Sequence, residues 1–209
     1  MKIFKRLAVL PAVLTCLLGA AAAPADAPKE GVQYLRLAKP AGVDPRQVAE
    51  LFSYNCPHSY EIEKPLADWA ARQRPPVQVL HIPAVWPNQH DMVAHARLYY
   101  TLDQLGLAQQ KTLAVFHAVR DLHQDLTTEN HVLAWAAGEG LDTASVRKAY
   151  ESREVSDLVR QAPALRERYQ VGEQPTVIVG GRFHTNLSLT RSVATTISVV
   201  DYLYRQSSH

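Results

Sequence analysis

An α/β fold, a mixed sheet interrupted by a block of helices, is predicted for this 209-residue chain by three observations. Short apolar stretches of strand character stand at both ends of the body, a long run of helical periodicity from about His90 to Tyr169 separates them, and Pro and Gly punctuate each change of period. Gly31 to Leu37 reads as a first strand, the Pro40 to Pro45 region as a turn, and Gln47 to Ser53 as a second, strongly apolar strand. The period then changes. Pro57 suits the first turn of a helix, where a missing N–H costs nothing, and that helix is predicted to continue to about Ala71, with Pro65 kinking or dividing it.

Val77 to Ile82 alternates as a third strand, and Pro83 and Pro87 end it. Met92, Ala96, Leu98, Tyr99 and Leu102 recur at helix spacing, followed by Leu113, Phe116 and Val119, then by Val132, Trp135 and Ala136. Gly138, Gly140 and Asp142 break the run and start another helix near Thr143. Pro175 opens a strand over Thr176 to Val179, Gly180 and Gly181 make a tight turn, Arg182 to Thr185 returns as its partner, and a last amphipathic helix runs from about Leu189 to Tyr204. Tyr99, Tyr100, Phe116 and Trp135 fall on helix faces and are expected in the core, with some lining a groove.

The first residues have another character. Lys2, Lys5 and Arg6 precede the apolar run Leu7 to Leu18 and the small residues Gly19 to Ala23, the pattern of a cleaved signal peptide over 1–22. The apolar part is short of the ~20 residues a membrane span needs. The rest, 23–209, suits one domain with a helical insertion at about 89–169. Removing Lys2, Lys5 and Arg6 takes the formal charge from +2 to −1, so a basic nucleic-acid surface is unsupported. Of the two cysteines, Cys16 lies in the leader, and only Cys56 remains after cleavage. An unpaired thiol in an oxidising compartment is expected to be either buried or used.

Cys56 stands where a strand ends and a helix begins. Unpaired N–H groups and the positive end of the helix dipole would favour its thiolate, and His58 pushes the same way. The alternative is an inert, buried cysteine, against which the polar neighbours and the Pro-His turn argue. Ser59, three residues on, can neither close a disulfide with Cys56 nor release a bound partner; it either donates to the thiolate or caps the helix turn. Glu50 lies among Ala49, Leu51 and Phe52 on a core strand. Burial there would raise its pKa and fit it to move protons to and from exchanging sulfurs, whereas an edge position would leave it solvated or paired with a lysine. His90, His95, His117, His123 and His131 lack metal-site spacing, and no metal is expected.

Four features together resemble the periplasmic thiol:disulfide interchange proteins of the DsbA type: Cys56-Pro57-His58 at the strand-to-helix junction, Glu50 six residues before Cys56, the late Pro175 before a strand and Gly-Gly hairpin, and the long helical insert. The resemblance implies a thioredoxin-like fold with an inserted helical bundle, an acid at Glu50 beneath an active cysteine, and a cis Pro175 beside it. It further implies that Pro57, Gln174 and Pro175 contact substrate, with Gln174 pairing its backbone to an extended peptide. Ser59 is the departure, since the family's second cysteine would stand there.

The expectation is therefore periplasmic thiol-disulfide exchange through a single cysteine, acting on exported cysteine-containing proteins or peptides. Mixed disulfides at Cys56 would be released by a substrate thiol, giving isomerisation or net oxidation, or by glutathione as co-substrate, with a membrane redox partner as a further possible reactant. No resident cofactor is expected. Two other readings are a substrate-binding chaperone using the same groove and a glutathione-dependent transferase or isomerase in which a serine holds the glutathione sulfur.

Overall fold

The computed structural model describes residues 27–207. The expected signal peptide lies outside the described residues. Within them, β1 (Leu35–Arg36) and β2 (Val48–Phe52) precede α1 (Pro57–Arg72) and β3 (Val79–Pro83). Five helices follow: α2 (His90–Gln104), α3 (Ala108–Arg120), α4 (Glu129–Gly138), α5 (Thr143–Tyr150) and α6 (Arg153–Arg168). The chain then returns to β4 (Thr176–Val179) and β5 (Phe183–Asn186), and ends in α7 (Leu187–Thr190) and α8 (Val193–Ser207).

The sheet order is β1-β5-β4-β2-β3, with β2 and β3 parallel and the other pairs antiparallel. Both β2 and β4 are buried throughout, as strands covered on two faces must be. Alternation along them sorts the side chains. Val48, Val177 and Val179 face α1 and α8, where Ile62, Leu66, Trp69, Val199, Val200 and Leu203 complete one core. Ala49, Leu51 and Ile178 point to the other face, against Ile82, Met92, Tyr169 and Val171. The five-helix block closes a separate core around Phe116, Tyr99, Leu102 and Trp135, into which Phe52 and Tyr54 reach from the end of β2. The aromatic residues assigned to helix cores are buried there.

Several elements depart from the sequence reading. The first strand shrinks to Leu35–Arg36 because Gly31, at φ +81°, turns the chain, with its N–H donating to Tyr34 O and those of Val32 and Gln33 to Lys29 O. Pro65 does not divide α1. It is half-buried, and the carbonyl deprived of its donor belongs to the exposed Glu61, while Ser59, Ile62, Glu63, Leu66, Trp69 and Ala70 form one continuous buried face. The last helix is two, because Arg191 adopts a left-handed φ of 68° and Ser192 Oγ then accepts the Thr195 N–H to start α8. At the β4–β5 turn Gly180 is required on two counts: its φ is +60°, and a Cβ would stand 2.6 Å from Pro45 O.

Leu66 is 1% exposed in the α1–α8 core. Leu66→Ala is expected to cost about 2–5 kcal/mol, read as a lower denaturant midpoint at unchanged slope.

Candidate active site

Strand β2 ends at Phe52, and a turn through Ser53 and Asn55 leads to Cys56, the N-cap of α1, with φ −88° and ψ 119°. Its backbone is held by Cys56 N–H donating to Ser53 O (3.0 Å) and Tyr60 N–H donating to Cys56 O (3.2 Å). Pro57 occupies the opening position of the helix and is exposed. Cys56 supplies no side-chain cap, so its sulfur sits beside a helix start whose first N–H groups have no side-chain acceptor, an environment that attracts negative charge. The residue is half-buried and free of any disulfide.

Across from it, the Gln174–Pro175 bond is cis, and Cys56 Sγ donates to Gln174 O at 3.7 Å. The Gln174 side chain is fixed as well: its Oε1 accepts from Trp86 Nε1 at 2.9 Å, and the Arg166 guanidinium lies 4.5 Å from the Trp86 ring centre. The turn before the cysteine is gripped by the helical block. Arg120 donates to Asn55 O (2.9 Å), and Asn55 Nδ2 donates to Asp91 Oδ2 (2.5 Å).

His58 and Ser59 lie in the same turn but do not reach the sulfur. His58 is exposed, with Nδ1 3.1 Å from Glu61 Oε2. Ser59 is fully buried and its Oγ accepts the Ser53 N–H at 3.2 Å, tying the helix start to the strand end.

Glu50 is paired in register with His81 on β3, and both turn toward α1, where Glu63 meets them. His81 Nε2 is 3.1 Å from Glu63 Oε2 and 3.5 Å from Glu50 Oε2. Glu50 is fully buried and neither of its oxygens makes a hydrogen bond. Burial first, then the charge of Glu63 and that of Cys56, pushes its carboxyl well above the usual carboxylate range, against the opposing pull of His81. Burial disfavours the His81 cation, but the hydrogen bond and charge of Glu63, with Glu50 and the Val79 backbone adding, lift it to about 9.

Glu63, His81, Trp86 and Arg120 escaped the sequence reading. Glu63 carried a signal, since it shares the face of α1 marked by Ile62 and Leu66. For His81, Trp86 and Arg120 the significance comes from register and tertiary contact. Of the histidines judged poor ligands, His117 pairs with Asp121, His131 with Asp125, and His95 is buried. No helix among the described residues is long and apolar enough to cross a membrane.

A cysteine capping a helix at the end of a central strand, facing a cis-proline loop, defines a thioredoxin-like domain, here with helices inserted between β3 and β4. The chain belongs to the family of the DSBA-like thioredoxin domain, whose family model matches residues 77–193. A protein named thiol:disulfide interchange protein DsbA from Burkholderia cepacia is 30% identical over 206 residues, covering 97% of this chain and 96% of that protein. The protein of the same name from Pseudomonas syringae pv. tomato is 31% identical over 194 residues, covering 91% and 90%. The crystal structure of Pseudomonas aeruginosa DsbA matches with a TM-score of 0.79 at 27% identity, covering 86% of this chain and 94% of that one. The Neisseria meningitidis oxidoreductase NmDsbA3 matches at 0.70 and 27%, covering 85% and 96%.

Glu50 holds its proton more tightly folded than unfolded, so it costs no stability below the ordinary carboxylate range and a growing amount as pH rises above it. Glu50→Gln is expected to match the natural chain near pH 4 and to become the more stable of the two as pH rises above the ordinary carboxylate range. Denaturant titrations across that range check it, and parallel pH profiles would contradict the assignment.

Proposed function

We propose that this protein is exported to the periplasm with its leader removed and exchanges disulfides with exported cysteine-containing proteins through Cys56 alone. The observation that carries this reading is the half-buried sulfur at the start of α1, 3.7 Å from the carbonyl of Gln174. The names of the relatives support thiol:disulfide interchange as the reaction class.

In the exchange step the Cys56 thiolate attacks one sulfur of a substrate disulfide. A mixed disulfide forms and the other substrate sulfur leaves as a thiolate. The helix start stabilises the negative charge when Cys56 is the leaving sulfur in the reverse step. Gln174, with its side chain tied back by Trp86, offers its backbone to an extended substrate segment, and Pro57 is exposed on the same rim. Glu50 takes up or returns a proton beneath the sulfur.

With serine at position 59 the mixed disulfide is released from outside, by a second substrate thiol or by glutathione. The net result is isomerisation, oxidation or reduction according to which thiol attacks. A glutathione transferase would need Ser59 to hold the tripeptide's sulfur, but that hydroxyl is buried and already accepts the Ser53 N–H. No observation favours a chaperone role over exchange.

Mass spectrometry of the chain incubated with a disulfide peptide should find a one-to-one adduct on Cys56, absent from Cys56→Ala and discharged by glutathione. Ser59→Cys should form an internal disulfide, since two cysteines three apart at a helix start can meet disulfide geometry, and should oxidise a reduced peptide stoichiometrically without glutathione. A Ser59→Cys protein whose disulfide forms but passes to no peptide would overturn the exchange reading.

A further inference from the structure

We infer that Glu50, Glu63 and His81 form an internal binding site for a divalent transition cation of the zinc class. Each offers one donor atom, and the three atoms lie within 4.8 Å of one another. In tetrahedral zinc coordination, with bonds of about 2.0–2.2 Å, neighbouring ligand atoms stand roughly 3.3–3.6 Å apart. The His81–Glu63 and His81–Glu50 separations of 3.1 and 3.5 Å already approach that spacing. Only the two carboxylates need to draw together.

A buried cluster of charged groups can exist without an ion, and His81 and Glu63 do satisfy each other. Glu50 separates the two cases. It is fully buried, belongs to the central strand, and turns into the cluster with neither oxygen hydrogen-bonded. A cation between the three groups would give that carboxylate a bonded partner where it now has only the 3.5 Å contact with His81. Two carboxylates and a neutral imidazole also balance a double positive charge, which makes an otherwise costly set of buried acids electroneutral.

The surroundings fit as well. His81 Nε2, the nitrogen that would ligate, already faces the carboxylates. Glu63 and His81 line a cavity of about 230 Å³ between α1, β3 and the helical block, with Asp103 also on its wall. That cavity supplies an entry path and room for a water at the fourth position. Nitrogen and oxygen donors at these distances suit zinc and its neighbours better than calcium, which takes six to eight oxygens at longer range.

The test is titration of the untagged full-length mature protein with Zn²⁺ against a chromophoric chelator, together with Cys56→Ala, Glu63→Gln and His81→Gln. The expected result is one zinc per chain, kept by Cys56→Ala. Glu63→Gln and His81→Gln should each weaken binding by more than the roughly 10–100-fold that loss of an outer-shell partner costs. Loss of binding in Cys56→Ala with retention in Glu63→Gln would assign the metal to the thiol and overturn the proposal. Retention in all three variants would assign it to surface histidines, and no binding at all would also overturn it. Should the Glu63 or His81 variant fail to fold, anomalous scattering at the zinc edge from soaked crystals of the natural chain decides: a peak bonded to all three donors supports the site, and its absence there refutes it.

Discussion

The antiparallel register of β2 and β4 is the constraint on which the rest depends. Leu51 opposite Thr176 leaves each strand one short step from its chemistry, with Cys56 beyond the end of one and Pro175 just before the start of the other. A slip of one residue would turn every side chain of β2 to the opposite face, sending Glu50 away from α1 and Leu51 into its place. Val48, Ala49, Leu51, Val177 and Ile178 forbid that slip because each is packed on its own side of the sheet. Cys56 is thus positioned by hydrophobic sorting well away from it.

The same register brings a cost inside. Glu50 stands opposite His81 across the parallel pair, on the face of the sheet that carries Val48, Val177 and Val179. A buried carboxylate without hydrogen bonds is among the most expensive things a core can hold, and retaining a proton relieves most of that expense. His81 and Glu63 are better matched, since each satisfies the other at 3.1 Å. Such a group adds little to stability.

Local chemistry made much of this legible. The all-buried β2 and β4 wrote themselves as apolar runs, the Gly-Gly turn announced its hairpin, and Pro57 fixed the helix start beside Cys56. The failures have physical reasons. A left-handed Arg191 and a capping Ser192 break the last helix, and neither residue advertises that role in advance. Pro65 is tolerated because it falls off the buried face of α1, which a proline count alone does not reveal. Glu50 was readable as an acid in a core strand, whereas His81 became meaningful only once β2 and β3 were in register. Trp86, Arg166 and Arg120 reach the site from distant segments, and no local pattern points to them.

Those distances also fix a sequence of assembly. Asn55 is held by Asp91, 36 positions later, and by Arg120, 65 positions later, while the carbonyl facing Cys56 comes from Gln174, 118 positions later. A chain made and threaded from its N-terminus presents the thiol long before any of these partners has emerged. The nascent protein therefore passes through a stage in which the thiol is present but none of the groups that surround it in the fold has been made.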